Sequence, residues 1–132
     1  MTGFFPIFIV DDDAEDQLMI QEYFEEINIR DAVKYFDNGQ KVVHHLETLK
    51  DPCLYPKLIV LDLNMPIMNG TQTLLHIKRD IHYKNIPILI FTTSENDNER
   101  RKCLSYGALD YLVKPMTYDE GQRLITRFAT FI

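Results

Sequence analysis

Five side chains in this sequence stand where apolar runs stop, and their types could do chemistry together: the carboxylates of Asp11, Asp12 and Asp62, the hydroxyl of Thr92 and the ammonium of Lys114. Carboxylates gathered in one place repel one another and raise their pKa values unless a cation neutralises them. With no His or Cys among them the donor set is all oxygen, which suits a hard divalent cation, Mg2+ or Mn2+ in its place, with a carbonyl and waters completing an octahedron. Such a cation keeps positions open for a phosphoryl oxygen, while Lys114 adds a second positive charge and Thr92 a hydroxyl donor. Phosphoryl transfer needs little beyond alignment and charge neutralisation, and a carboxylate that attacks phosphorus becomes an aspartyl phosphate, so Asp62 is the candidate nucleophile. Position alone leaves a second reading open for Asp62, an acid that ends a strand and caps the next turn.

The elements that must position these groups are legible as alternating patterns. Asp62 closes the run Lys57-Leu58-Ile59-Val60-Leu61, apolar as a strand buried on both faces should be, and Pro66 and Gly70 follow it. Phe4 to Val10 predicts a first strand ended by Asp11-Asp12-Asp13, with Asp13 as N-cap of a helix that carries Glu15 and Asp16 in its first turn and Leu18, Met19, Tyr23, Phe24 and Ile27 toward the core. Ala32 to Phe36 predicts a second strand; Val42, Val43, Leu46 and Leu49 mark the helix after it. The opening run is the third strand, and a helix from about Asn69 to Arg79 follows, with Leu74, Leu75 and Ile77 inward. Ile88 to Phe91 is a fourth strand ending in Thr92-Thr93-Ser94, Asp97 to Tyr106 a polar helix ended by Gly107, Leu109 to Val113 a fifth strand broken at Lys114-Pro115, and Tyr118 to the C-terminus a last helix. In that helix Ile125, Phe128 and Ala129 are core positions, and Phe131 with Ile132 is an apolar end suited to docking. The alternation implies an α/β fold, a doubly wound five-stranded parallel sheet with helices on both faces, whose polar strand ends lie on one edge near the switch point.

The ordered set Val10-Asp11-Asp12, Leu61-Asp62-Leu63-Asn64-Met65-Pro66 with Gly70, Thr92, and Tyr111-Leu112-Val113-Lys114-Pro115 resembles the response-regulator receiver domain of two-component signalling, in its single-domain, chemotaxis-like form. The likeness spans nearly the whole chain and implies one receiver domain over 1–132, a (βα)5 flavodoxin-like fold with strand order 2-1-3-4-5. It implies that Asp62 takes a phosphoryl group from a sensor histidine kinase or phosphotransfer protein. Asp12 and Asp62 would ligate Mg2+ with the backbone carbonyl of Asn64, and Asp11 would act through a bound water. Lys114 would pair with the phosphoryl group, and Thr92 would move toward it and draw the ring of Tyr111 inward, remodelling the face made by the fourth helix, fifth strand and last helix for a downstream protein. It also implies a cytoplasmic switch without an output domain, a monomer or weak dimer that turns over no small molecule. Two departures or variable features stand out: Thr93 replaces the small residue common after the switch threonine, and Asn64 and Ser94 occupy the positions that modulate dephosphorylation in this family.

Composition narrows the alternatives. At 132 residues and 45% hydrophobic content the chain suits one domain with a sizeable core. A formal net charge of -6, from 20 acids against 14 bases, argues against autonomous binding to nucleic acid or an anionic membrane, and Arg100-Arg101-Lys102 reads as a solvated helix face. No basic n-region precedes the first apolar run, which reads as a strand and not as a signal, and no apolar stretch approaches the length of about 18 residues that spans a bilayer. Cys53 and Cys103 lack CxxC spacing and read as reduced thiols; His44, His45, His76 and His82 lack metal-ligand spacing. Two other classes compete. An aspartyl-nucleophile phosphatase would keep a second acid two residues beyond the nucleophile, where this chain has Asn64. A flavodoxin-like cofactor module would need a Gly- or Ser/Thr-rich phosphate loop after the first strand, where this chain has three acids.

Overall fold

The computed structural model describes residues 4–65 and 67–132; residues 1–3 and Pro66, the proline of the loop after Asp62, lie outside the described part. Five parallel strands, β1 (Ile7–Val10), β2 (Val33–Phe36), β3 (Leu58–Leu61), β4 (Ile88–Thr92) and β5 (Asp110–Val113), form one sheet in the order β2-β1-β3-β4-β5. Five helices alternate with them: α1 (Ala14–Glu26), α2 (Gly39–Thr48), α3 (Gly70–Arg79), α4 (Asp97–Ser105) and α5 (Tyr118–Ala129). This is the doubly wound architecture and strand order that the sequence implied.

The strand period of two sorts the apolar residues onto the two faces of the sheet. Phe8, Val10, Ile59, Leu61, Ile88 and Ile90 pack with Val42, Val43 and Leu46 of α2, Leu74 and Ile77 of α3 and Cys103 of α4. Ile7, Ile9, Leu58, Val60, Leu89 and Phe91 point the other way, onto Ile20, Tyr23 and Phe24 of α1 and Ile125 and Phe128 of α5. Every residue of β1, β3 and β4 is buried, which is why these strands read as continuous apolar runs and not as alternating ones.

Side-chain caps fix where the helices begin. The carboxylate of Asp13 accepts from the backbone N–H groups of Glu15 and Asp16. Asn69 and Gln72 form a reciprocal capping box at α3, and Asn38, Asn96 and Thr117 cap α2, α4 and α5. Past the C-termini of α1 and α4, Asn28 and Gly107 take positive φ values of 60° and 107°, the left-handed stop that ends many helices.

Several boundaries and core positions differ from the sequence-based expectation. β1 begins at Ile7, with Phe4 exposed before it, and β2 begins at Val33 because Arg30–Ala32 forms a 3-10 turn. In α1 the buried stripe is Ile20, Tyr23 and Phe24; Leu18 lies off that stripe and Ile27 falls at the C-cap, leaving them 56% and 40% exposed. On α3, Leu75 is only half-buried while Thr73 is fully buried, its hydroxyl satisfied by donating to the Asn69 carbonyl at 2.8 Å. Leu109 precedes β5 and is exposed. α5 ends at Ala129; Phe131 still packs on the core of the α1–α5 face, and Ile132 alone of the terminal pair is exposed. Cys53 and Cys103 are both free thiols, as expected. Among the described residues no helix is long and apolar enough to cross a membrane.

Candidate functional site

Strand register brings the polar ends together. Val10 pairs with Phe36 and Leu61, and Thr92 with Val113, so the chain leaves β1, β3, β4 and β5 along one edge of the sheet. The hydrogen-bond ladder runs one residue further into the site. Asp11 donates to the Phe36 carbonyl at 2.9 Å, Asp62 to the Val10 carbonyl at 3.0 Å, and Lys114 to the Thr92 carbonyl at 2.7 Å. The backbones of Asp11, Asp62 and Lys114 are thereby each held by a neighbouring strand.

Carboxylate oxygens of Asp11, Asp12 and Asp62 all lie within 4.8 Å of one another. Asp11 and Asp62 are buried and Asp12 is exposed, so the cluster is closed at its base and open at its mouth. Asp62 Oδ1 accepts from the N–H of Leu63 at 2.8 Å, and Asp62 Oδ2 lies toward Lys114. Gly70 permits the loop after Asp62 to fold back: a Cβ there would stand 2.1 Å from the Asp62 carbonyl oxygen, and the Gly70 N–H instead donates to the Leu63 carbonyl at 3.0 Å. Three oxygen-only ligands, two of them buried beside each other, fit a hard divalent cation of the Mg2+ or Mn2+ kind. Asn64 lies exposed on the loop two residues past Asp62.

The buried cation of the site is Lys114. Its Nζ donates to Asp11 Oδ2 at 2.6 Å and to Asp16 Oδ2 at 2.6 Å, with Asp62 Oδ2 at 3.4 Å. Burial alone would lower the Lys114 pKa, but the hydrogen bonds to Asp11 and Asp16 and the charges of Asp11 and Asp62 outweigh it and hold the ammonium above its ordinary value. Burial pushes Asp11 up to about 6, against the opposing hydrogen bond and charge of Lys114 and the Asp13 N–H, with the Asp62 charge adding to the rise. A cleft of about 520 Å³ opens beside the ammonium, lined among others by Asp16, Thr93, Glu95 and Lys114. A depression of the same volume between β2 and α2, against Lys34, Lys41 and His44, is remote from these carboxylates.

Thr92 and Tyr111 meet through a third residue. The Thr92 side chain is fully buried, its Oγ1 accepting from the Ser94 N–H at 3.4 Å. Tyr111 is 4% exposed and its hydroxyl donates to the Ser94 carbonyl at 2.9 Å, so the ring already points inward in this structure.

The structure thus gathers Asp11, Asp12, Asp62 and Lys114 into one cluster and places Thr92, at the end of β4, and Tyr111, on the adjacent β5, against Ser94 of the loop that follows β4. Two participants escaped the sequence reading. In the sequence Asp16 reads only as an acid of the helix start, yet it is a direct partner of Lys114. Gln17 donates from Nε2 to the carbonyls of Asp11 and Phe36 at 2.6 and 3.1 Å, pinning the first acidic loop to β2. The available signal was position: both lie in the first turn of the helix that starts directly after Asp11–Asp13, where a side chain can reach back over the sheet edge. Among the described residues no histidine belongs to a cluster that could hold a metal ion; His45 packs against the rings of Phe8 and Phe36, with centroids 5.5 and 5.3 Å away.

Comparison with known proteins adds an independent line. Residues 7–126 match the response regulator receiver domain family. The chain is 26% identical over 128 residues to a probable methanogenesis regulatory protein, FilR2, of Methanothrix harundinacea, covering 96% of this chain and 83% of that protein. It is 32% identical over 111 residues to the protein-glutamate methylesterase/protein-glutamine glutaminase of Bacillus subtilis, covering 83% of this chain but only 29% of that protein. Among solved structures it is similar to the phosphorylated cyanobacterial phytochrome response regulator RcpA, at TM-score 0.83 and 25% identity with 98% and 94% of the two chains covered. It is also similar to the Mn2+-bound form of response regulator Rcp1, at TM-score 0.80 and 25% identity with 95% and 91% covered.

Proposed function

The chain belongs to the response regulator receiver domain family of two-component signalling, and from that membership we propose that it is a phospho-acceptor switch whose phosphorylated residue is Asp62. The observation that carries this reading is Asp62 itself, a buried strand-end carboxylate whose Oδ2 faces Lys114 within a cluster of oxygen ligands. Asp62 attacks the phosphorus of a donor phosphoanhydride or phosphoramidate, and the donor's leaving group departs with the bonding electrons. Asp11, Asp12 and Asp62 would hold Mg2+, with the Asn64 carbonyl; when bound, the ion neutralises charge on the phosphoryl oxygens. Lys114 supplies the protein's own cation to the same oxygens. Likeness to a phosphorylated and to a Mn2+-bound receiver supports this assignment.

The donor is a sensor histidine kinase or phosphotransfer protein, as for receivers in general. Contacts from the phosphoryl group to Thr92 and Lys114 exist in one conformation only and therefore favour it. Ser94, bonded to both Thr92 and Tyr111, gives a route by which that preference reaches the face of α4, β5 and α5, the surface for a downstream protein. Asn64, standing where a phosphatase would keep its second acid, disfavours turnover of small phosphate esters.

Incubation with acetyl phosphate and magnesium tests the reading. Intact mass should rise by about 80 Da in the wild type and not in Asp62→Asn. An unmodified wild type overturns it.

A further inference from the structure

We infer that Asp16 is a positioning residue that competes with the phosphoryl group for Lys114, holding the switch toward its unphosphorylated state; the inference rests on the phospho-acceptor reading above. An ammonium has three donors and no acceptor. In this chain three carboxylates face those donors: Asp11 and Asp16 at 2.6 Å each, Asp62 at 3.4 Å. The two short bonds draw Nζ to the α1 side and leave Asp62 with the weakest of the three. A phosphoryl group on Asp62 places new acceptor oxygens beyond the carboxylate, and a short contact to them requires Nζ to leave one of its near partners.

The three partners differ in how readily they yield. Asp11 is fixed at both ends, its Oδ1 accepting from the Asp13 N–H at 2.9 Å and its backbone carbonyl from Gln17 Nε2 at 2.6 Å. Its side chain is 3% exposed, so releasing Lys114 would strand a charge away from water. Asp16 sits in the first turn of α1 with its side chain 28% exposed, on the wall of the cleft beside Lys114. Its carboxylate can turn to water at little cost when the ammonium departs. Asp16 is therefore the partner that exchanges, and its strength sets how much of the phosphoryl–Lys114 interaction is spent on breaking an existing ion pair.

Beryllofluoride, which adds to a carboxylate oxygen in the tetrahedral shape of a phosphoryl group, is the probe. Its affinity in the presence of magnesium is read by fluorine-19 NMR for wild type, Asp16→Asn and Glu15→Gln, the last removing one acid from the same helix turn without touching Lys114. Asp16→Asn should bind about three- to tenfold more tightly, the scale of one partly exposed charge-assisted hydrogen bond, while Glu15→Gln stays within about twofold of wild type. Before any beryllofluoride is added, the nitrogen-15 cross-peak of the Lys114 ammonium should exchange with water faster in Asp16→Asn than in wild type. Unchanged or weaker binding by Asp16→Asn overturns the inference, as does equal tightening by Glu15→Gln, which would make the effect one of general charge. If wild type binds no beryllofluoride, the phospho-acceptor reading falls and the competition with it, while the ammonium signal still reports the ion pair itself.

Discussion

Lys114 Nζ stands 2.6 Å from Asp11 Oδ2 although 103 residues of chain separate them, and both side chains are almost wholly buried. The pair spans the sheet from the end of β1 to the end of β5, over the end of β3 that carries Asp62. Removing the cation leaves Asp11 and Asp62 buried without compensation. Lys114→Met should cost about 3–5 kcal/mol of folding free energy near neutral pH, the usual penalty for deleting one member of a buried pair. The loss should shrink toward about pH 5, where Asp11 takes up a proton. Urea denaturation at the two pH values checks this; an equal loss at both would exclude it.

The same linkage gives the wild type a definite pH signature. The Asp11 pKa is about 6 in the fold against 3.8 ordinarily, so between those values the folded chain binds more protons than the unfolded one. Stability from this group therefore falls as pH rises through that window and is lowest above about 6, where the buried charge is fully present. Magnesium should accordingly raise the midpoint of thermal unfolding at about pH 8 and do little at about pH 5. Calorimetric scans with and without millimolar magnesium decide it.

Tyr111→Phe keeps the ring and removes the hydroxyl that donates to the Ser94 carbonyl. A stability loss of about 0.5–1.5 kcal/mol is expected, the worth of one hydrogen bond. Uptake of phosphate from acetyl phosphate should proceed as in wild type, because the hydroxyl removed bonds to Ser94 and not to Asp11, Asp12 or Asp62. What should diminish is the chemical-shift change that beryllofluoride produces in α4 and β5, read by NMR.

Gly70→Ala inserts a methyl group 2.1 Å from the Asp62 carbonyl oxygen and 2.7 Å from Leu63 Cα, both backbone atoms that cannot step aside alone. The loop after β3 must shift, at about 1–3 kcal/mol, and Asp62 moves with it. Both the denaturation midpoint and the phosphorylation rate should fall. A variant that lost stability with an unchanged rate would show that the loop and the carboxylate are independent.

Much of this molecule was legible because its central strands are buried on both faces. Runs such as Leu58-Ile59-Val60-Leu61 leave no doubt about the strand, and the first polar residue after each marks the sheet edge. Asp11, Asp12, Asp62 and Lys114 were found that way and do converge. Helix faces were harder. Leu18 and Ile27 of α1 are apolar yet exposed, since the helix phase is set by Ile20 and Phe24, which fill the core beneath. Asp16 was hidden by an adequate local explanation: an acid in a first helical turn needs no distant partner, and only the fold reveals that Lys114 provides one.

Asp11, Asp16 and Asp62 face a single ammonium and Asp12 adjoins two of them, so these four acids against one base leave three formal negative charges in surplus, half of the chain's formal net charge of -6. In the absence of a divalent ion this surplus makes the mouth of the site an electrostatic barrier to small phosphorylated anions. Their encounter rate should climb with ionic strength as the field is screened.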